Sequence, residues 1–366
     1  MEEIEALIKD NKSFVIYRAP NQEPVFILQS SGKLLSLDNP EELNEKTGFV
    51  FAPFRVNASS PLMLMRPDVT VKGWKKITEY FSSVRSNETL DKATSASVSK
   101  ESRSVCCGNN YDSYFRAFSF FIKSLREKTF DKLVLSRTKI CPKEDSFSAG
   151  TVFYNACNHY PDAFVYLYHT MQTGTWLGST PEILLSGEGD SWHTVALAGT
   201  LPFHKVETSG EWSEKNIREQ QLVAGYIRNQ LAAFGVSSNE EGPYTVRAGE
   251  LAHLKSDFSF VLKAKDKIGS LLALLHPTPA VCGLPKEEAY RFILDNEGYD
   301  RRYYSGFMGW LDPSEKTDLY VNLRCMEIQS AQLILYAGGG LLSDSEPDSE
   351  WRETESKLQT MLAVIK

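Results

Sequence analysis

Eight apolar runs of strand length follow one another along this chain: "SFVIYRA", "PVFILQS", "KLVLSRTKI", "AFVYLYHT", "TWLGS", "EILLSGEG", "LYVNLRCMEI" and "QLILYAGGG". In "CMEIQSAQLILY" two of them are separated by a few polar residues. That link is too short for a parallel crossover, which needs a dozen residues or more, so the pattern predicts antiparallel pairing. Helical periodicity appears in "YDSYFRAFSFFIKSLREK", "SEKNIREQQLVAGYIRNQLAAF", "KEEAYRFILDN" and "SEWRETESKLQTMLAVIK". Helices interspersed among such strands predict an α+β chain: a single large domain with extensive, mainly antiparallel sheets flanked by helices. A length of 366 residues suffices for one large core, and nothing in the pattern forces a division. Residues 81–109 are Ser-rich, lack an apolar period and read as a loop.

A net charge of −7 without a basic cluster argues against nucleic acid as a partner. The start, "MEEIEALIKDNKSF", is acidic where a secretory signal would be basic and then apolar. No stretch approaches the ~18 uninterrupted apolar residues of a membrane helix. The expectation is a cytoplasmic protein, monomeric and without a membrane partner. Six cysteines show no CxxC spacing, which favours free thiols over a disulfide or zinc framework.

Chemistry enters through charges in apolar places. On the helix from "SEKNIREQQLV", Glu219 lies three, four and seven residues before Leu222, Val223 and Tyr226, on the same stripe, while Glu214, Arg218 and Gln221 point away. A carboxylate there is either at the stripe's edge in an ion pair, or a ligand or catalytic group. In the last helix Glu350, Glu353 and Lys357 share a face, with Trp351, Leu358, Leu362 and Ile365 as the apolar one. Glu353 and Lys357, four apart, make an ordinary helical pair. Two helices offering one carboxylate each would also suit Mg2+, which takes oxygen ligands and few protein carboxylates.

In "TFDKLVLSRTKI" the period of two puts Lys132 beside Phe130, Val134 and Ser136, opposite Asp131, Leu133 and Leu135. If both faces are covered, burial makes Lys132 a neutral amine and a general base; otherwise it is an edge or paired lysine. Glu182, just before the strand Ile183-Leu184-Leu185, is a strand-end residue or a general acid. "ALAGT" lets backbone approach a ligand and offers the Thr200 hydroxyl. "YAGGGLL" is not GxGxxG and no helix opens directly after it, so a dinucleotide site is refused; its amides suit an anion. Arg324 in "VNLRCMEI" reads as a charge embedded in a strand, paired with an acid or clamping an anion. His253 and His276 lie in apolar surroundings, and no HxH or HExxH spacing suggests zinc.

The order of these blocks carries more than any one of them. "FDKLVLSR", "GSTPEILL", "ALAGT", "SEKNIREQQLV", "LAHL", "LLHPTPAVCG", "YDRRYYSGFMGW", "VNLRC", "YAGGGLL" and "EWRETESKL" together resemble the chorismate-utilising enzymes, within them the isochorismate synthases of menaquinone or siderophore pathways. The resemblance covers roughly residues 110–366; residues 1–80 match more loosely, through "GFVFAPF" and the strands before it. It implies one chorismate-binding domain over 1–366 that converts chorismate to isochorismate with Mg2+, by water attack at C2 and loss of the C4 hydroxyl, with menaquinone supply the expected purpose. It implies Glu219 and Glu353 as metal ligands, Lys132 as general base and Glu182 as general acid. Arg324, with backbone around Gly338 and Gly340, would hold the side-chain carboxylate, and Thr200, His253, Tyr304 and Lys357 would line the pocket. Asn216 stands where relatives carry a further acid, and "AGGG" replaces an expected "AGAG". A lysine at position 132 favours water over ammonia as the nucleophile. Salicylate synthase, the amine-inserting anthranilate or aminodeoxychorismate synthases, and a non-enzymatic acidic binding protein are the competing readings.

Overall fold

The computed structural model describes residues 2–32, 34–88, 111–204, 207, 211–249 and 251–365. Helix α1 (Glu2–Lys9) precedes β1 (Ser13–Arg18), β2 (Val25–Gln29), β3 (Leu35–Leu37), β4 (Gly48–Ala52), β5 (Leu62–Met65) and β6 (Val69–Lys72). Helices α2 (Trp74–Glu88) and α3 (Tyr111–Arg126) lead to β7 (Lys132–Pro142), α4 (Ala149–His159), β8 (Phe164–Thr170) and β9 (Gly174–Thr180). Then come β10 (Ile183–Glu188), β11 (Ser191–Pro202), α5 (Glu214–Ala233), β12 (Ser238–Ala248) and β13 (Leu251–Val261). The rest is α6 (Ile268–Leu275), β14 (Gly283–Leu284), α7 (Lys286–Asn296), β15 (Phe307–Leu311), β16 (Lys316–Val321), β17 (Cys325–Ile328), β18 (Gln332–Leu341) and α8 (Pro347–Ile365).

Among the described residues the strands form two nine-stranded sheets, in the orders β14-β7-β18-β17-β9-β8-β1-β2-β6 and β12-β13-β11-β10-β16-β15-β4-β5-β3. Their neighbours pair antiparallel, as the short links predict: Met326–Ile328 of β17 lies against Leu333–Leu335 of β18. Strands from the first 80 residues enter both sheets. Between the sheets lies an aromatic layer in which Phe51 stacks on Tyr168 and on Tyr303, each at 4.3 Å. Outside the first sheet, α1, α2, α4 and α8 bury Ile4, Ile77, Phe153 and Met361; outside the second, α5 and α6 bury Val223, Ile227 and Leu272. The fold is therefore α+β, with helices on the outer faces of two facing sheets.

Three local expectations are corrected. Residues 81–88, read as the start of a Ser-rich loop, continue α2; the remainder of that segment, with Cys106 and Cys107, lies outside the described residues. The run "LYVNLRCMEI" is not one strand: β16 belongs to one sheet and β17 to the other, and Asn322–Arg324 cross between them. In α8 the buried stripe runs through Glu350, Thr354, Leu358, Met361 and Val364, not along Trp351, Leu362 and Ile365. Cys141, Cys157, Cys282 and Cys325 are free thiols. Among the described residues no helix is long and apolar enough to cross a membrane.

Candidate active site

The two sheets exchange chain at adjacent places. Pro181-Glu182 carry it from β9 to β10, and Asn322–Arg324 carry it back from β16 to β17. The crossings are joined by backbone hydrogen bonds, Ser179 N–H to Arg324 O at 3.1 Å and Val321 N–H to Glu182 O at 2.9 Å. A side chain on such a crossing leaves both ladders and points into the seam. Arg324 does so with φ at 47°, a left-handed conformation uncommon for a non-glycine residue. The cavity at this seam is lined by Glu182, Thr200, Glu219, His253, Tyr304, Arg324, Gly338, Gly340 and Lys357. Lys132 and Glu353 stand directly behind that lining, through their contacts with Glu219 and Lys357.

Lys132 opens β7, whose alternation runs as expected: Leu133 and Leu135 pack against α3 and α7, while Val134 lines the cavity. Lys132 is wholly buried, and its Nζ lies 2.9 Å from Glu219 Oε1. The contact is an ion pair without good alignment, and Lys132 Nζ has no hydrogen-bond partner. A carboxylate on the facing helix thus stands against Lys132 as a counter-charge. Burial would raise the Glu219 pKa, but Lys132, Lys215 and Lys357 outweigh it and hold the carboxyl below its ordinary value. Glu219 is on the packed face of α5, which Ser213 caps by accepting the Asn216 N–H at 3.2 Å, while Glu214, Arg218 and Gln221 are exposed.

The glycines of β18 make room for this pair. A Cβ on Gly340 would sit 2.0 Å from Glu219 Oε1 and 2.9 Å from Lys132 Cε. On Gly338 it would meet the Tyr304 hydroxyl oxygen at 2.8 Å, and on Gly339 Glu353 Oε1 at 3.3 Å. All three glycines pair with β7, at Ser136, Leu135 and Val134, while β17 reaches only as far as Leu335. Glu219 and Glu353 thus approach consecutive glycines from the two faces of β18, beyond the last residue that β17 covers. Lys357 Nζ donates to Glu353 Oε1 at 2.6 Å and to Gly338 O at 3.0 Å.

Glu182 is deeply buried, and that burial pushes its carboxyl up to about 7, against the pull of Lys132, Lys357 and Arg324. Near neutral pH it keeps a substantial protonated fraction, where an exposed glutamate is ionised. His253 Nδ1 lies 3.0 Å from Gly199 O and 3.3 Å from Thr200 Oγ1. Its Nε2 lies 3.2 Å from Arg324 Nη2, and a guanidinium only donates, so Nε2 accepts and the proton is on Nδ1. Burial holds the imidazole neutral, with its pKa lowered to about 3. Gly199 has φ at +71°, at a bulge between Ala198 and Thr200 that brings backbone against Asn216.

Two participants escaped the sequence reading. Glu350 is buried, its Oε1 bonds Lys215 Nζ, and its Oε2 has no hydrogen-bond partner. Burial and Glu353 push its carboxyl up to about 7, with Lys215 opposing. Burial disfavours the Lys215 ammonium, but Glu350, Glu353 and Glu219 hold its pKa above the ordinary value, so one ammonium feels all three carboxylates. The available signals were Glu350 three residues before Glu353, and Lys215 four before Glu219.

Glu219 and Glu353 are hard oxygen donors, flanked by a third carboxylate with an unpartnered buried oxygen. Among the described residues no group of three or more His, Cys, Asp or Glu closes a metal cage by itself. Two carboxylates that leave the rest of the shell to substrate and water oxygens fit Mg2+, which dehydrates reluctantly and takes few protein ligands.

Residues 7–366 match the family described as "Chorismate binding enzyme". The chain is 30% identical over 246 residues to the isochorismate synthase EntC of Escherichia coli (strain K12), covering 64% of this chain and 62% of that one. It is 33% identical over 252 residues to the salicylate biosynthesis isochorismate synthase of Pseudomonas aeruginosa, covering 67% and 52%. These matches therefore span less than two thirds of the relatives' lengths. Among solved structures, MenF, the menaquinone-specific isochorismate synthase from Escherichia coli, has a similar fold, with TM-score 0.76, 21% identity and coverage of 97% and 89%. So does the putative 2,3-dihydroxybenzoate-specific isochorismate synthase DhbC from Bacillus anthracis, with TM-score 0.77, 21% identity and 98% of both chains.

Proposed function

The chain belongs to the chorismate-binding enzymes, and from that membership we propose that it is an isochorismate synthase, using Mg2+ to convert chorismate to isochorismate. The observation that carries this reading is a buried glutamate with a raised carboxyl pKa, Glu182, in the wall of one cavity, and a buried lysine, Lys132, directly behind that wall beside a cluster of carboxylates. Such a pair suits a reaction that takes a proton from water and gives one to a poor leaving group.

Chorismate is a dicarboxylate, and its enolpyruvyl carboxylate goes to Arg324, a buried guanidinium that bonds the Thr360 hydroxyl and the neutral His253 imidazole. His253, fixed in its Nδ1–H form, orients Arg324 without adding charge. Glu219 and Glu353 would hold Mg2+, which would supply positive charge for the ring carboxylate. Lys132, wholly buried with its Nζ 2.9 Å from Glu219 Oε1, serves as the base. Lys132 then takes a proton from the water whose oxygen bonds to C2. The ring double bond shifts, the C4–O bond breaks, and the Glu182 proton leaves with the departing hydroxyl as water. One water enters and one leaves, and the proton moves back from Lys132 to Glu182 through solvent. Each such acid or base contributes about 10² to 10⁴-fold.

Incubation of the protein with chorismate and MgCl2, followed by chromatography and NMR of the products, tests this. Isochorismate that requires Mg2+ and forms without pyruvate is the expected result. Stoichiometric pyruvate would make the enzyme a salicylate synthase, and an aminated product on adding ammonium would place it in the amine-inserting class.

A further inference from the structure

Beneath the cavity lies a second buried pair of charges. Glu297 and Arg301 sit in the link between α7 and β15, and each is 2–3% exposed. Arg301 Nε and Nη2 donate to the two Glu297 oxygens at 2.6 Å each, a two-point fork. Its remaining bonds go to main chain from two other places, Nη1 to Val281 O at 2.7 Å and Nη2 to Val134 O at 2.8 Å. Glu297 Oε1 also accepts the Ser136 N–H and the Ser136 hydroxyl, both at 2.7 Å. Phe54 lies under the guanidinium, 4.5 Å from its centre.

Neither residue lines the cavity, yet two backbone groups they hold belong to residues that do, Val134 and Val281. Val134 and Ser136 are on the same face of β7 as Lys132, the first residue of that strand. Tyr304, three residues beyond Arg301, returns to the wall and bonds back through its N–H to Arg301 O at 3.0 Å. One ion pair therefore spans three separate pieces of wall, and each bond is directional.

We infer that Glu297 and Arg301 are positioning residues, which set the attack geometry of Lys132 by clamping β7 at Val134 and Ser136 to the Val281 backbone. The inference rests on the proposed function, because it takes this cavity as the place where water is activated. Substrate is gripped elsewhere, at Arg324 and the carboxylate cluster, so loosening the clamp acts on the reaction step and spares binding. A reacting group displaced by about 1 Å can lose about 10²-fold in rate.

The test uses Arg301→Lys, which keeps the charge but loses the fork, and Glu297→Gln, which keeps the shape and an acceptor for Ser136. The control is Val152→Ala, which opens a cavity in the separate apolar cluster beneath α4 and costs stability without touching the clamp. Melting temperature, kcat and KM for chorismate are measured for all of them at a temperature where every variant is folded. The expected result is a kcat lowered about 10 to 100-fold in both clamp variants. KM should move less than about threefold, and Val152→Ala should keep the kcat of the parent despite its loss of melting temperature. Clamp variants with parental kcat, or a control that loses kcat in proportion to its stability, overturn the positioning role while leaving the proposed function standing. A parent enzyme without turnover overturns both. If Arg301→Lys does not fold, Glu297→Gln alone carries the comparison, with the same outcomes.

Discussion

Two buried charge clusters a few residues apart along β7 differ in what they lack. Around Glu297 and Arg301 the opposite charges face each other in a fork and the surrounding carbonyls and amides complete the set. Around Arg324 and Lys132 the set is left open. Arg324 bonds the Thr360 hydroxyl at 3.3 Å and a neutral histidine, Lys132 Nζ faces Glu219 outside hydrogen-bond geometry, and Glu350 Oε2 is buried without a well-aligned hydrogen-bond partner. Burying a charge without its partners is costly, so an arrangement of this kind is retained where a ligand completes it. The first cluster satisfies its own charges; the second leaves its charges less fully paired.

Substitutions that remove the open cluster's chemistry should have the largest effect. Lys132→Ala and Glu182→Gln are each expected to lower kcat by about 10² to 10⁴-fold in a chorismate turnover assay, with circular dichroism unchanged. Parental turnover by Lys132→Ala would remove it as the base. The two clusters should next respond to neutralisation with opposite sign. Arg301→Met strands a buried carboxylate and should cost about 3 to 5 kcal/mol in denaturant unfolding, whereas Arg324→Met removes an under-partnered charge and should raise stability while abolishing substrate binding. Equal losses from both would end the distinction.

A smaller effect follows from Glu182. Its folded pKa of about 7 exceeds the ordinary glutamate value of 4.5, so the native state binds the extra proton. Stability contributed by that proton is complete below pH 4.5 and is lost as pH rises to 7, by about 3 kcal/mol for a shift of this size. Glu182→Gln should therefore melt higher than the parent at pH 8 and no higher at pH 4; a pH-independent difference would contradict the raised pKa. The parent's kcat/KM should fall above pH 7 as the acid is lost. Last comes a contrast within one strand. Gly340→Ala drives a methyl into Glu219 and should cost about 10²-fold in kcat/KM, whereas Gly339→Ala meets Glu353 at 3.3 Å and should stay within a few fold.

The period-two runs carried the sheets and the four long helical periods their helices, because apolar spacing records which face is covered. Spacing does not record which sheet a strand joins. In "LYVNLRCMEI" the apolar residues continue through a change of sheet, and the clue to the break was the charge at Arg324, which a strand interior would not carry. Lys132 and Glu219 were legible as buried charges on apolar faces. Their contact was not, since it depends on Glu219, from a helix packed on β11 of the second sheet, reaching a glycine of β18 in the first. The glycines had been read as amide donors; their missing side chains admit Glu219. Glu350 stayed hidden because the buried stripe of α8 includes a glutamate and a threonine, which a search for apolar residues skips.

β18 comes last in chain order among the strands, yet it lies between β7 and β17. Until it is inserted, both of those neighbours present bare main-chain edges, which are templates for pairing with another molecule. A growing chain that has not yet emitted residues 332–341 therefore has its greatest hazard of mispairing at the strand that bears Lys132. The same insertion that brings the glycines under Glu219 seals that gap, so assembly of the reaction centre and protection from clumping are one late event.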